Sequence, residues 1–356
     1  MLSTGTIAET SATDGEGDGI AGPNNGNWST FSNGFPFSTP GELSSNISTA
    51  GPDLDYVAAL PDVAATKEDG VALEFQVTTT VPGFFVATVV YATDEYKQHA
   101  LDLYNDSPVI LVKSHGEESF QNIFQFRSPD GNGGSSLVPL RLLDLKDCLG
   151  KTFLGNDTAP FPFELALSAH NPAVGEYYDH EFGGFTRPLT RQTGDRGAQN
   201  PEPSPAGVHT IKYVLQDVGD SEIDSAMFIG ALSFRFIPLV AGDLDLDGDV
   251  DSTDLGLLLN NFNSTEDIDY TQGNIDGDGD IDSTDLGLLL NNFNSTGGYV
   301  YKRADFNGDG TVDAADEAIW ILYEGLTKCA TRFEGDADGD GDVDDDDHAI
   351  WSQSSN

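Results

Sequence analysis

Alternating apolar and polar positions dominate the first 240 residues of the chain. From Val71 to Thr78, apolar residues occupy every second position, which is the period of a strand with one buried face. The run from Phe84 to Tyr91 is almost continuously apolar and predicts a strand that is buried on both faces. Further strands are predicted at 108–114, 122–127, 137–145, 163–169, 209–216 and 227–237. Short strands separated by Gly, Pro, Asn and Asp predict a mainly β domain of the sandwich or jelly-roll class over residues 1–240.

The apolar pattern changes to a helical period in the last third of the chain. The positions that lie at i, i+3, i+4 and i+7 are Leu255, Leu258, Leu259 and Phe262. This spacing predicts one apolar stripe along a helix. The stripe recurs 31 residues later, because the segment 251–265 is repeated without change at 282–296. The sequence therefore predicts tandem loop–helix units, which are small α-helical repeats following the β domain.

Each unit opens with a twelve-residue acidic loop, and the four loops begin 31 residues apart, at Asp243, Asn274, Asp305 and Asp336. Position 6 is Gly in all four, as the sharp turn of a calcium-binding loop requires. Positions 1, 3, 5, 7, 9 and 12 are Asp243, Asp245, Asp247, Asp249, Asp251 and Asp254; Asn274, Asp276, Asp278, Asp280, Asp282 and Asp285; Asp305, Asn307, Asp309, Thr311, Asp313 and Asp316; and Asp336, Asp338, Asp340, Asp342, Asp344 and Asp347. These residues are the predicted metal ligands, with position 7 offering its backbone carbonyl.

Calcium is the cation that this pattern favours. It takes about six to eight oxygen ligands, and alternate residues of a tight loop point their oxygens inward. A single loop of this kind could be an Asp-rich turn without an ion, but four in register favour about four calcium ions. Position 8 is branched and apolar in each loop, and we expect paired loops to exchange a short β contact there. The residues after the loops divide the units into two pairs, 241–300 and 301–356.

The charge of the chain fits the same interpretation. The 60 acidic and 16 basic residues give a net charge of −44, which excludes binding of nucleic acid through a basic surface and disfavours an anionic membrane surface. Residues 241–356 contain 25 Asp but only 4 Glu. A general solvated tail would use Glu freely, so the preference for Asp indicates coordination chemistry.

The loop–helix units, with Asp at position 12, resemble dockerin type I repeats over about residues 242–356. The resemblance implies calcium binding and, in that family, attachment to cohesin domains. The chain differs from the family pattern in having two pairs and a period of 31 residues.

Several motifs of the first region resemble the choice-of-anchor L domain. They include LSTG at Leu2–Gly5, an acidic-acidic-Tyr signature at Asp94–Tyr96, and FGGFTRPLT at Phe182–Thr190. The resemblance implies a secreted or cell-surface bacterial protein whose β domain is joined to a C-terminal anchoring module. Because LSTG normally lies inside that domain, we expect the chain to begin late, without a first strand or an export signal. No apolar run is long enough to predict membrane insertion.

The first region leaves some chemistry open. A further calcium ion could be held by acids within the matching motifs, namely Asp94, Glu95, Asp106, Asp217, Asp220 and Asp224, although turn capping and surface charge are the alternative. A pair of these carboxylates could hydrolyse a glycoside, which is a weaker hypothesis. The triplet Asp179–Glu181 is interpreted as a solvated loop rather than a zinc site. Cys148 and Cys329 could pair across the regions, and two free thiols are the favoured expectation.

Together these observations predict a secreted, non-enzymatic calcium-binding protein that serves surface attachment or protein–protein interaction. Its partner would be a cohesin-like or cell-surface protein. The alternative is a cellulosome-like component that binds or hydrolyses polysaccharide and docks to a cohesin through its repeats. A plain calcium sensor or buffer is the third hypothesis, which the β domain disfavours.

Overall fold

The computed structural model describes residues 2–3, 67–93, 107–129, 134–140, 153–155, 169–171, 176–178, 184–195, 201–218, 225–265 and 268–355. The strands are β1 (Leu2–Ser3), β2 (Lys67–Thr79), β3 (Gly83–Thr93), β4 (Ser107–Lys113), β5 (Gln121–Asn122), β6 (Gln125–Pro129), β7 (Ser135–Pro139), β8 (Phe153–Gly155), β9 (Ala169–Asn171), β10 (Glu176–Tyr178), β11 (Gly184–Thr186), β12 (Leu189–Gln192), β13 (Gly207–Val218) and β14 (Ser225–Pro238). The helices are α1 (Ser252–Asn260), α2 (Ser283–Asn291), α3 (Ala314–Tyr323) and α4 (Asp345–Ser354). None of the helices in these residues is long and apolar enough to cross a membrane.

The first region is built from antiparallel sheets, as its alternating pattern predicts. One sheet has the order β1-β14-β3-β11-β8, and β12 also pairs with β3. A second sheet has the order β2-β13-β4-β5, while β6–β7 and β9–β10 form two-stranded ribbons. One hydrophobic core takes side chains from both larger sheets, including Phe85 and Tyr91 of β3 and Ile211 and Tyr213 of β13. The predicted strands at 141–145 and 163–168 lie outside the described residues.

Strand β3 is buried on both faces, because it is central in its sheet and has different neighbours on its two sides. Phe85 enters the core between the two larger sheets. Phe84 points to the opposite face of the sheet. It packs in a second core, which contains Leu239 and residues of the first pair of loop–helix units. This arrangement explains the almost uninterrupted apolar run that the sequence shows, since both faces of the strand are buried from Gly83 to Ala87 and only Thr88 and Val90 of the run are partly accessible.

Each helix of the second region begins directly after the ninth position of its acidic loop, where an Asp forms the N-cap. The N-caps are Asp251, Asp282, Asp313 and Asp344. Each forms a capping box with the Asp three residues later, so that two backbone N–H groups at the helix start find acceptors. Short 3-10 helices at Tyr270–Gln272 and Arg332–Glu334 lead into the second and fourth loops.

The units pack as two pairs with separate cores. Residues of α1 and α2 share one core with Phe84, and residues of α3 and α4 share another that contains Trp320. The predicted stripe is only partly buried, because Leu258 is inaccessible whereas Leu259 is 53% exposed and the equivalent Leu290 is 52% exposed. The helices α1 and α2 have nine residues each and are capped at Asn261 and Asn292, so Phe262 and Phe293, the last residues of each stripe, lie beyond the helix.

The position-8 residues pair differently from the expectation that they would contact each other. Val250 exchanges backbone hydrogen bonds with Asn294 and Ser295, which follow the helix of the partner unit. Ile281 makes the reciprocal pair with Asn263 and Ser264 after α1. In the second pair, Val343 bonds to Gly325 and Leu326 after α3. The first, second and fourth loops are therefore each closed by the segment that follows the other unit's helix.

The second pair of units is fixed to the β region by polar contacts that are largely buried. Arg191 of β12 donates from Nη1 to Glu334 Oε1 at 2.8 Å, and both side chains are almost inaccessible. The backbone N–H of Arg127 in β6 donates to the carbonyl of Ala330 at 2.8 Å. Cys329, next to Ala330, lies in the core between the two sheets. The repeats therefore pack on the β region instead of hanging from a linker.

Cys329 is in a disulfide, which corrects the expectation of two free thiols. Cys329 is disulfide-bonded, and the described residues contain no free cysteine. The chain's only other cysteine is Cys148, which lies outside the described residues. The spacing of two cysteines in sequence carries no information about their separation in space, so the sequence alone could not decide this pairing.

Candidate metal centre

The carboxylate at position 12 organises each acidic loop. In the first loop, Asp254 Oδ1 accepts the backbone N–H groups of Leu244 at 2.6 Å and Asp245 at 3.3 Å, and Oδ2 accepts that of Asp251 at 2.8 Å. Asp285, Asp316 and Asp347 make the same three kinds of bond in their loops. A carboxylate has about four lone-pair sites, so this geometry leaves room for one metal–oxygen bond from position 12.

Position 1 of the first loop has an acceptor that nothing in the protein satisfies. Asp243 is fully buried, and its Oδ2 accepts the Gly248 N–H at 3.1 Å. Its Oδ1 is also buried and has no hydrogen-bond partner. A buried carboxylate oxygen without a donor is costly unless a cation reaches it. This orphaned oxygen, Asp243 Oδ1, is the atom of the first loop that most directly indicates a bound cation.

In the first, second and fourth loops, acidic side-chain oxygens lie close enough together to share an ion. The groups whose oxygens all lie within 4.8 Å of one another are Asp243, Asp245 and Asp254; Asp249, Asp251 and Asp254; Asp280, Asp282 and Asp285; Asp336, Asp338 and Asp347; and Asp342, Asp344 and Asp347. Two oxygens bound to one calcium at about 2.3–2.6 Å are at most about 5 Å apart. The spacing and the all-oxygen donor set therefore fit calcium.

Position 7 brings a side-chain oxygen into the cluster in three loops. Asp249, Asp280 and Asp342 each have a buried Oδ1 without a hydrogen-bond partner, and each belongs to one of the oxygen clusters. The sequence pattern suggested only the backbone carbonyl at this position. A backbone carbonyl ligand requires no particular side chain. The Asp at position 7 of three loops is therefore the sequence feature that could have predicted a side-chain ligand.

The third loop is chemically different from the other three. It has Asn307 at position 3 and Thr311 at position 7. The Thr311 hydroxyl and N–H both donate to Asp309 Oδ1, at 2.6 and 2.8 Å, and these bonds hold the pKa of Asp309 below its usual value. Because it holds fewer carboxylates, we expect this loop to bind calcium more weakly than the first loop.

The carboxylates of the other loops repel one another when no cation is present. Burial raises the pKa of Asp243 to about 7, and the nearby Asp254 carboxylate adds to the rise. Burial likewise raises the pKa of Asp347 to about 7, and burial with the Asp340 charge raises that of Asp342 to about 6. A divalent cation would remove this penalty by offsetting the charge.

Glycine at position 6 permits the turn of each loop. The φ angles of Gly248, Gly279, Gly310 and Gly341 are 91°, 95°, 91° and 96°. Side chains rarely adopt this conformation, so the residue type is set by the backbone. The same reasoning applies at position 4, where three loops have Gly and the first has Leu246 at φ 62°.

The position-4 glycines allow three of the loops to touch the β region. A Cβ on Gly277 would lie 2.7 Å from Pro205, and one on Gly308 would lie 2.5 Å from the Arg235 guanidinium. The Gly339 carbonyl accepts the Ser135 hydroxyl at 2.5 Å. In the first loop, by contrast, Leu246 is buried in the core of its own pair. The difference at position 4 between the first loop and the other three is visible in the sequence. Its link to contacts with the β region can be seen only in the folded structure.

The other predicted acids cannot be placed. Asp94, Glu95, Asp106, Asp220, Asp224 and the triplet Asp179–Glu181 lie outside the described residues, as does the side chain of Asp217 in β13. A further calcium site in the β region and a carboxylate pair for glycoside hydrolysis therefore stay predictions.

Comparison with known protein families agrees with the loop geometry. The Dockerin type I domain family matches residues 272–323. This segment runs from the second loop to the end of α3, so it joins one unit from each structural pair. Because all four units follow one period, a two-unit dockerin pattern can align across the boundary between pairs. No curated protein and no solved structure matches the chain.

Proposed function

We propose that this protein is a secreted, non-enzymatic protein whose dockerin-type repeats bind calcium and thereby hold a surface for a cohesin-like partner. The observation that carries the proposal is the convergence of oxygens around the orphaned Asp243 Oδ1, in a region where the dockerin type I family matches the neighbouring units. We further propose that the β region is a sandwich of the choice-of-anchor L type, which places the protein outside the cell or at its surface.

Calcium would act here as a structural ion. In the first loop it would be held by Asp243, Asp245, Asp247, Asp249 and Asp254, with Asp251 contributing directly or through water. The bound ion supplies two positive charges to a cluster of carboxylates. The residues of the chain fix the loop around it through the N–H groups that the position-12 carboxylate accepts, and they start the exiting helix at the position-9 cap. Occupied loops would thus set the relative positions of α1 and α2.

The first pair of units offers the better partner surface. Leu259 and Leu290 occupy equivalent positions on α1 and α2, and both are about half exposed although they are large and apolar. The third unit has Ile321 at the same position, exposed at 57%, but the fourth has Ser352. Only the first pair therefore presents two equivalent apolar side chains, and a cohesin-like partner would bury them.

Replacing Leu259 and Leu290 together with Ser is expected to weaken binding of a cohesin-like partner by about tenfold or more. The reason is that burial of the exposed half of each Leu contributes about 1 kcal/mol, and about 1.4 kcal/mol corresponds to a factor of ten in affinity. The measurement is the affinity of the full chain for each of a panel of cohesin domains immobilised on a sensor surface, in buffer that contains calcium.

The matched control is Ile321→Ser, the same kind of change at the equivalent position of the third unit. It should leave the affinity close to that of the unaltered chain. Equal losses from the control and the double variant would show that the first pair is not the partner surface. Binding of no cohesin in the panel, with or without calcium, would contradict the proposed partner class.

A further inference from the structure

The third acidic loop contains an Asn–Gly pair, Asn307–Gly308, at positions 3 and 4. Position 3 is Asp in the other three loops, so Asn307 is the one position-3 residue that is an amide. An Asn followed by Gly is chemically labile, because the glycine nitrogen is not shielded by a side chain and can attack the amide carbon of the Asn. The chain has three more Asn–Gly pairs, at Asn25, Asn33 and Asn132, which lie outside the described residues.

The side chain of Asn307 is folded alongside the peptide bond that it would attack. Its Oδ1 accepts the Asp309 N–H at 2.7 Å, and its Nδ2 donates to Asp309 Oδ2 at 3.0 Å. Both ends of the amide reach residue 309, which places the amide carbon, Cγ, beside the intervening Gly308. The first of these bonds also aims an N–H group at the oxygen on which negative charge develops during attack, as in an oxyanion hole.

Arg235 of β14 activates the nucleophile. The Gly308 nitrogen attacks after losing its proton, and the resulting negative charge is shared with the Asn307 carbonyl oxygen of the same peptide bond. Arg235 Nη2 donates to that oxygen at 3.2 Å. A guanidinium at this position stabilises the deprotonated peptide, because a hydrogen bond that joins a cation to a developing anion is stronger than a neutral one. The Gly308 nitrogen is therefore easier to deprotonate than that of an isolated Asn–Gly pair.

The position-1 side chain of the third loop does not hold the Gly308 N–H. In the second and fourth loops, the position-4 N–H donates to the position-1 side chain at 3.0 and 2.6 Å. In the third loop, the two oxygens of Asp305 instead accept the N–H groups of Asp309 and Gly310, at 3.0 and 2.9 Å. The hydrogen bond that restrains this nitrogen in two other loops is thus made elsewhere.

We propose that Asn307 is a site of spontaneous deamidation and that calcium in the third loop suppresses the reaction. The Gly308 nitrogen loses its proton to solvent and bonds to Asn307 Cγ, while the Cγ–Nδ2 bond breaks and the amide nitrogen leaves as ammonia. Water then opens the succinimide ring at one of its two carbonyl carbons, and it reaches the ring because Asn307 is only partly buried. The products are Asp and isoaspartate, in which the main chain runs through the side chain.

The protection by calcium rests on the proposed binding of the ion, whereas the reaction itself does not. Ring closure requires rotation of the Asn307 backbone, and an ion held by Asp305, Asn307 and Asp309 opposes that rotation. An Asp product gives the third loop the position-3 carboxylate of the other loops, while isoaspartate adds a main-chain carbon and disrupts the ligand spacing. Because the hydrolysis is irreversible, the third loop records the time that the protein has spent without calcium.

The test is incubation of the full chain at mildly alkaline pH, with a chelator or with calcium, followed by acidic digestion and mass spectrometry. The readout is the mass increase that replacement of NH2 by OH produces in the peptide containing residue 307. Without calcium, Asn307 should react about tenfold faster or more than Asn274, a loop amide whose neighbour Ile275 carries a branched side chain. Calcium should slow the reaction at Asn307 by about tenfold or more.

Arg235→Gln keeps a hydrogen-bond donor but removes the charge, and it should slow the calcium-free reaction at Asn307 by about tenfold. The rates at Asn25, Asn33 and Asn132 should not change, which separates activation from a general effect on the fold. Arg303→Gln is the matched control, because it makes the same change at an exposed position just before the third loop and should leave the rate at Asn307 unaltered. The melting temperature of each variant, measured without calcium, shows that it is folded.

The proposal is overturned if the peptide keeps its mass without calcium, if Asn307 reacts no faster than Asn274, or if Arg235→Gln reacts as fast as the unaltered chain. Equal rates with and without calcium would contradict the protection. A calorimetric titration of the same preparation with calcium then separates the two causes. Equal rates with bound calcium count against the protection alone, whereas equal rates without any binding count against the proposed calcium sites as well.

Discussion

Replacing Glu334 with Ala is expected to lower the free energy of unfolding by about 3–5 kcal/mol, which is the usual cost of leaving one partner of a buried ion pair uncompensated. Glu334 is 1% exposed and its partner Arg191 is 2% exposed. The substitution would leave the Arg191 guanidinium inside the protein without a counter-charge. It would also remove the acceptor of the Thr331 N–H and hydroxyl, which donate to Glu334 Oε2 at 3.0 and 2.8 Å.

The measurement is urea unfolding followed by tryptophan fluorescence and by far-ultraviolet circular dichroism. Two of the chain's three tryptophans, Trp320 and Trp351, pack in the second pair of units, so a large part of the fluorescence reports on the side of the interface that holds Glu334. The circular dichroism includes the sheets that hold Arg191. We expect both signals to move to lower urea, because the ion pair joins the two parts.

Two further variants separate the charge effect from lost packing. Glu324→Ala removes an exposed carboxylate from the end of α3 and should change stability by less than about 0.5 kcal/mol. The double variant Arg191→Met with Glu334→Leu replaces both charges with apolar groups and should recover most of the loss. A Glu334→Ala variant as stable as the Glu324→Ala control would contradict the buried ion pair.

The sequence predicts local features of the repeats well, because they depend on contacts within about twelve residues. Gly248 is required by its backbone angle, and Asp251 caps the helix that starts one residue later. The glycine is predicted from the loop spacing, whereas the N-cap role of Asp251 was not predicted. The burial of Leu258 followed from the helical period, but the exposure of Leu259 did not, because it depends on where the partner helix lies.

The contacts between the two regions could not be predicted from the sequence. Arg191 and Glu334 are 143 residues apart, and nothing in their local sequence distinguishes them from surface charges. The same holds for Cys329, which enters the core of the β region although it lies between two acidic loops. Such contacts depend on the docking of two surfaces, which periodicity and turn chemistry do not encode.

These contacts suggest that the loops and the β region are energetically coupled. Arg235 of β14 donates to the carbonyl of Asn307, position 3 of the third loop, at 3.2 Å. Arg332 donates to the carbonyl of Asp305 in the same loop and to Gln192 Oε1 at the end of β12. Because these bonds fix the backbone that would surround an ion, an ion that orders the loop should also stabilise its contacts with the sheets.

Removing calcium is therefore expected to destabilise the whole described structure and not only the repeats. Each ion that binds the folded loop contributes about 2.7 kcal/mol when free calcium is about 100 times Kd. We expect the melting temperature to fall when calcium is chelated at neutral pH, with protection against hydrogen exchange decreasing in β6 and β12 as well as in α3 and α4. Magnesium is the control cation, since its smaller, octahedral shell suits this loop less well.

The pH dependence gives the sharpest form of this prediction. Without calcium, burial raises the folded-state pKa of Asp243 to about 7, above its usual value of 3.8. The folded state then binds more protons than the unfolded state across that window, so the calcium-free protein should lose stability as pH rises from about 4 to about 7. With calcium bound the carboxylates are deprotonated and protons compete with the ion, so the stability of the calcium-loaded protein should instead rise with pH.

The gap in melting temperature between calcium-loaded and resin-depleted protein should therefore be widest near neutral pH and should narrow as the pH falls. Asp243→Asn, which gives the first loop the position-1 residue that the second loop already has in Asn274, should reduce both slopes. A gap that is the same at all pH values would mean that the loop carboxylates do not bind the ion.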